Sequence, residues 1–148
     1  MTSQESSSNL GALFLDRAAE GGLLFDGAVG TQLYERGIFL NQCFEQVSIT
    51  QPRLIKQVHR DYFEAGAEVL TTNTFGANRM RLAQHGLENM WKEINRVSVQ
   101  LAKEVGSEHA FIAGSVGPSG VTLDELSRPK GREALQSLTD QIQVLIEA

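Results

Sequence analysis

The sequence predicts an α/β protein built on parallel strands, and three observations carry that prediction. First, three short apolar runs each end in a polar, glycine-bearing turn. Leu23–Phe25 runs into Asp26-Gly-Ala-Val-Gly-Thr31, Ala67–Thr71 into Thr72-Asn-Thr-Phe-Gly76, and Ala110–Ala113 into Gly114-Ser-Val-Gly-Pro118. Second, a helical segment follows each turn and no two strands stand in tandem, which demands parallel pairing through right-handed crossovers. Third, the strand ends lie roughly 45 residues apart, long for a minimal open sheet but suited to a barrel with elaborated rim loops. The expected fold is therefore the first three βα units of a (β/α)8 TIM barrel, incomplete because about eight units close one. Residues 1–8 are expected to form a disordered tail. Residues 9–148 are expected to be the N-terminal part of the barrel, truncated before its fourth strand.

Each element has its own signal. Leu10, Leu13 and Phe14 suggest a helix from Asn9 to Glu20, closed by Gly21-Gly22. The first strand is Leu23 to Phe25. Gln32 to Arg36 gives one helical turn before Gly37, and Ile38 to Ser48 is loop. Thr50 and Pro52 mark a helix start. Leu54, Ile55, Val58, Tyr62 and Phe63 then mark its buried face, and Gly66 stops it. The second strand is Glu68 to Thr72. A helix piece from Arg79 to Gln84 is broken at His85-Gly86. Leu87, Met90, Ile94, Val97, Leu101 and Val105 then recur at steps of three and four. The third strand is Ala110 to Ala113, and Pro118 to Lys130 is loop. Leu135, Leu138, Ile142 and Leu145, again at steps of three and four, mark the last helix.

Composition narrows the function. The 148 residues are 41% hydrophobic and 21% charged, ordinary for a soluble globular domain. A net charge of −5 with scattered Lys and Arg argues against a nucleic-acid partner. No run approaches the roughly 18 apolar residues of a membrane span. The Ser-rich start has neither the cationic region nor the apolar core of a signal peptide, and a cytoplasmic location is expected. The single cysteine, Cys43, excludes an internal disulfide.

Candidate chemistry gathers at the strand ends, the rim on which parallel α/β proteins build their sites. A carboxylate at Asp26 suits a ligand ammonium. The glycines after it let the backbone approach and offer N–H groups to an anion, so together they fit a zwitterion such as an amino acid. The alternative is that Asp26 only caps the turn. Alternation points Thr72 and Thr74 to one side and Asn73 to the other, either into a pocket or into a hydrogen-bonded loop tying the strand to the next helix. The glycine spacing matches neither a dinucleotide fingerprint nor a P-loop, which disfavours a nucleotide-binding domain. Cys43, His59, His85 and His109 lack the spacing that pairs metal ligands, so no metal site is completed within the chain. His59, beside Arg60 and Asp61, is expected on the solvated surface. Cys43 is expected to be a loop or half-buried thiol. No serine–histidine–acid or paired-carboxylate arrangement emerges, so no catalytic residue is assigned.

Four ordered blocks carry a resemblance. Phe25 to Ile38, Gln51 to Gly66, Ala67 to Arg79 and Ala113 to Gly120 resemble the start of a homocysteine S-methyltransferase domain. Val29 departs conservatively from the methionine that many members carry there. The resemblance covers about residues 10–148. It implies a (β/α)8 barrel with a zinc ion at the C-terminal rim, and methyl transfer to the zinc-held thiolate of homocysteine. By the same resemblance, Asp26, Gly27 and Ala28 would hold the amino-acid end of homocysteine, while Thr72, Asn73 and Ser115 would line the rim. The family's zinc cysteines and a substrate-binding glutamate fall beyond residue 148, and Cys43 matches none of them. The chain alone is expected to lack zinc and turnover, and its open strand edges are expected to favour self-association. The methyl donor stays open. The competing expectation is a catalytically silent module that binds an amino acid or assembles with a partner.

Overall fold

Two of the three expected strands form. β1 (Val69–Thr71) and β2 (Phe111–Ala113) pair in parallel, with Val69 opposite Phe111 and Thr71 opposite Ala113. The computed structural model describes residues 3–125 and 127–148. The expected first strand is corrected: Phe25 alone bridges to Val69, in parallel, so among the described residues the sheet has two strands. That segment has a neighbour on one side only, and its Leu24 and Phe25 side chains stay exposed. Bonds from Glu68 and Val69 N–H to Leu24 O and from Asp26 N–H to Val69 O hold it beside β1.

Helices surround this small sheet: α1 (Ser3–Gly21), α2 (Val29–Glu35), α3 (Val47–Thr50), α4 (Pro52–Glu64), α5 (Arg79–Ala83), α6 (Trp91–Gly106) and α7 (Pro129–Glu147). α1 begins at Ser3, inside the expected disordered tail, of which Met1 and Thr2 lie outside the described residues. Gln and Glu favour helix without any apolar spacing, so periodicity does not announce that first turn. α3 likewise begins inside the expected loop, at Val47, and runs to Thr50.

α6 packs between α4 and α7. Leu33, Ile38, Val47, Ile55, Val58 and Leu101 form one core cluster, and Ala77, Leu82, Trp91, Ile94 and Val144 belong to a second. His59 is fully buried on the packed face of α4, one residue after Val58, and not at the surface. Neither ring nitrogen has a hydrogen-bond partner. Burial alone pushes its pKa down to about 4.

α7 forms where the apolar spacing marks a helix, but that spacing does not mark its buried face. Its buried face is Ala134, Ser137, Gln141 and Val144, whereas Leu135 is 68% and Ile142 45% exposed. Small side chains let α7 approach its neighbours closely. Gln141 is drawn inward because its Nε2 donates to Thr74 O at 2.7 Å and to Asn95 Oδ1 at 3.2 Å. The C-terminal part of the stripe, Ile142 and Leu145, with Ile146, lines a groove of about 490 Å³ beside Ile112 and Val116 of β2 and its following turn.

Candidate functional site

The glycine-bearing turns after Phe25, β1 and β2 do converge. They line a cavity of about 340 Å³ with Gly27, Ala28, Gly30, Thr72, Asn73 and Ser115 among its walls. Parallel strands deliver their C-terminal ends to one side, which is why segments so far apart in sequence meet there.

The side chains at this rim are largely bonded to one another. Asp26 is half-buried beside the cavity. One of its oxygens accepts the Thr71 N–H and the other the Thr71 hydroxyl, both at 2.8 Å. Burial raises its carboxyl pKa, against the Thr71 bonds, which lower it. The carboxylate thus joins the bridged segment to the end of β1. Gly27 leaves room for Tyr62, whose hydroxyl oxygen would lie 2.8 Å from a Cβ at residue 27. That hydroxyl donates to Ala28 O at 3.4 Å.

Thr72 and Thr74 point to one side, as alternation predicts, and knit the strand ends together. Ser115 N–H donates to Thr72 Oγ1 at 3.0 Å, Thr74 Oγ1 donates to Ser115 O at 2.7 Å, and the two hydroxyls bond at 2.6 Å. With Thr74 donating to Ser115, the Thr72 hydroxyl donates to Thr74. Both hydroxyl hydrogens are then engaged within the protein, while the Ser115 hydroxyl takes no part in the stitch. Asn73 points the other way. Its Nδ2 donates to Phe44 O at 2.7 Å and to Ser48 Oγ at 3.1 Å. The single hydroxyl hydrogen of Ser98 in α6 lies between Ser48 Oγ at 2.8 Å and Asn73 O at 3.3 Å. Asn78 caps α5 by accepting from Arg81 N–H.

The structure adds wall residues that the sequence did not single out. Glu45 is the one ionisable side chain among the described residues lining the cavity, and Phe44 and Phe75 supply its rings. Glu45 lies in a stretch with no periodicity, read as loop, so no local signal singled it out. Cys43 is buried and donates its S–H to Glu45 Oε2 at 3.3 Å. Burial first, then the nearby Glu45 charge, push its pKa up to about 11.

The donors for a metal do not converge. Among the described residues no three His, Cys, Asp or Glu side chains group together. His59 is buried in α4, while His85 and His109 are exposed at separate turns. Nor is any helix among the described residues long and apolar enough to cross a membrane.

Comparison with known proteins adds a consistent set of similarities. The sequence model of the homocysteine S-methyltransferase family matches residues 23–148. A methionine synthase of Mycobacterium leprae is 30% identical over 138 residues, covering 85% of this chain but 11% of that protein. A methionine synthase of Mycobacterium tuberculosis is 31% identical over 116 residues, covering 70% of this chain and 10% of that protein. Among solved structures, the metallated form of the homocysteine methyltransferase MmuM from Escherichia coli aligns with a TM-score of 0.69 at 30% identity, over 84% of this chain and 50% of that one. Its oxidized form aligns with a TM-score of 0.66 at 31% identity. The chain thus spans about half the length of the solved relative and about a tenth of the two synthases.

Proposed function

The chain belongs to the homocysteine S-methyltransferase family, and on that premise we propose that it forms the first three βα units of a homocysteine-binding (β/α)8 barrel. The observation that carries this reading is the convergence of the three glycine-bearing turns on one cavity. The completed domain transfers a methyl group to homocysteine to give methionine. The new S–CH3 bond forms as the donor–CH3 bond breaks, and the thiol proton is lost. This chain's part is to hold the amino-acid end of the substrate. Asp26 attracts the ammonium, the Gly27-Ala28 backbone faces the carboxylate, and Thr72, Asn73 and Ser115 give the wall its shape. The free side of β2 and the apolar stripe of α7 are covered by later units of the barrel.

Thiol activation lies outside these residues. The described side chains assemble no zinc set, so the cysteine ligands that the family implies come from the rest of the domain. The chain alone is therefore inactive in methyl transfer. The test is titration of the isotope-labelled chain with L-homocysteine, followed by NMR. The expected result is saturable shifts confined to the amides of residues 26–30, 71–76 and 115, with no methionine formed when a methyl donor is added. Shifts centred elsewhere, or turnover by this chain alone, would overturn the reading.

A further inference from the structure

One peptide unit at the cavity mouth is gripped at both ends. The Gly76 N–H donates to Glu45 Oε1 at 2.7 Å. The carbonyl of the same peptide, Phe75 O, accepts the Gly117 N–H at 2.8 Å. Both grips need the absence of a side chain. A Cβ at residue 76 would sit 2.7 Å from Glu45 Oε1, and one at residue 117 would sit 2.6 Å from Phe75 O. The first obstacle is the end of a flexible side chain, which gives way. The second is backbone, which does not.

We infer that Glu45 is a positioning residue: with the Gly117 N–H it fixes the plane of the Phe75–Gly76 peptide, and through it the place of the Phe75 ring at the cavity mouth. Phe75 is 61% exposed, and its ring rests on Gly117, where a Cβ would sit 2.8 Å from Cδ1 and Cε1. The two grips fix the backbone from which the ring projects, and Gly117 brings one grip and the surface under the ring together. A peptide held at both N–H and C=O cannot rotate as a unit, so the Cα from which the ring projects stays in place, and Gly117 beneath the ring limits its side-chain rotation. A carboxylate accepting a backbone N–H is among the stronger hydrogen bonds. The second oxygen of Glu45 is tethered by Cys43, whose S–H stays protonated and donating at neutral pH. Glu45 comes from the segment between α2 and α3, Phe75 from the turn after β1, and Gly117 from the turn after β2. Three loops are therefore locked at a single peptide. The ligand consequence rests on the proposed homocysteine site: the ring packs against the aliphatic arm of the amino acid, and its placement sets affinity.

The test measures amide hydrogen exchange and L-homocysteine affinity on the full chain and on Glu45→Gln, Glu45→Ala and Gly76→Ala. Loss of the acceptor in Glu45→Ala speeds exchange at residue 76 by about tenfold or more. Glu45→Gln keeps an acceptor oxygen and stays within about threefold of the parent. Affinity for homocysteine falls about fivefold in Glu45→Ala and recovers in Glu45→Gln. Gly76→Ala displaces the carboxylate without removing it, and should match Glu45→Ala after correction for intrinsic exchange. It decides the matter should Glu45→Ala fail to fold. Unchanged exchange at residue 76 in both alanine variants sinks the inference. So does a Glu45→Gln chain that keeps residue 76 protected yet loses homocysteine, because the charge would then be acting on the ligand. A parent chain that binds no homocysteine defeats the proposed function instead, and the exchange rates still judge the clasp.

Discussion

His59 shows at the residue scale how much one buried side chain changes. It is neutral inside the protein, with a pKa near 4 against 6.5 when free. The unfolded chain therefore binds more protons between those values, and stability rises with pH across that window. Acidification from about pH 7 to pH 4 should remove on the order of 3 kcal/mol, flattening below pH 4. Urea midpoints at several pH values measure this, and His59→Leu should remove most of the slope. A parent slope equal to that of the variant would mean that the imidazole is hydrated in solution. The same scale explains Asp26. Its position at a strand end was legible, but its engagement by Thr71 was not, because the partner lies 45 residues away.

At the scale of elements, α7 illustrates what periodicity does and does not report. Leu135, Leu138, Ile142 and Leu145 correctly announce a helix, yet the core takes Gln141 and its small neighbours. A spacing of three and four identifies an apolar face without saying what covers it. Gln141 decides the rotation by reaching Thr74 O and Asn95. Replacing it with leucine takes the donor from Asn95 Oδ1, while Thr74 O keeps the Ala77 N–H, and should cost about 1–3 kcal/mol in denaturant unfolding. A neutral result would mean that the amide bonds add nothing over apolar packing. α6 follows the same logic. Asn95 and Ser98 are fully buried, while Val97, part of the expected apolar stripe, is only half-buried. Ser98 reaches the rim turn from behind, and Asn95 holds Ala77 O at 2.8 Å.

The whole molecule leaves one side unfinished among the described residues. β2 offers an unpaired edge beside the groove under α7, and Ile146 is 77% exposed. Sheet edges and apolar faces of this kind recruit neighbours. We expect the chain alone to self-associate through this side, so its mass by light scattering should climb with concentration. Changing Ile142 and Ile146 together to glutamine should reduce that association while leaving monomer stability within about 1 kcal/mol, since their present exposure leaves little to lose. A parent chain that stays monomeric at high concentration would contradict the expectation.

The sequence by itself determined the parallel order of elements, the three polar turns at the strand ends, and membership of a methyltransferase family. These are local patterns, written in runs of a few residues whose geometry depends on adjacent chemistry. The tertiary structure decided which helix face turns inward, that His59 is buried, that Thr72 and Thr74 bond to each other, and that Glu45 reaches the cavity wall. Each of these depends on a partner or a covering element far along the chain, Gln141 to Thr74 across 67 positions and Glu45 to Gly76 across 31. A hydrogen bond is satisfied by whatever folding brings within about 3 Å. No spacing within one element carries that information.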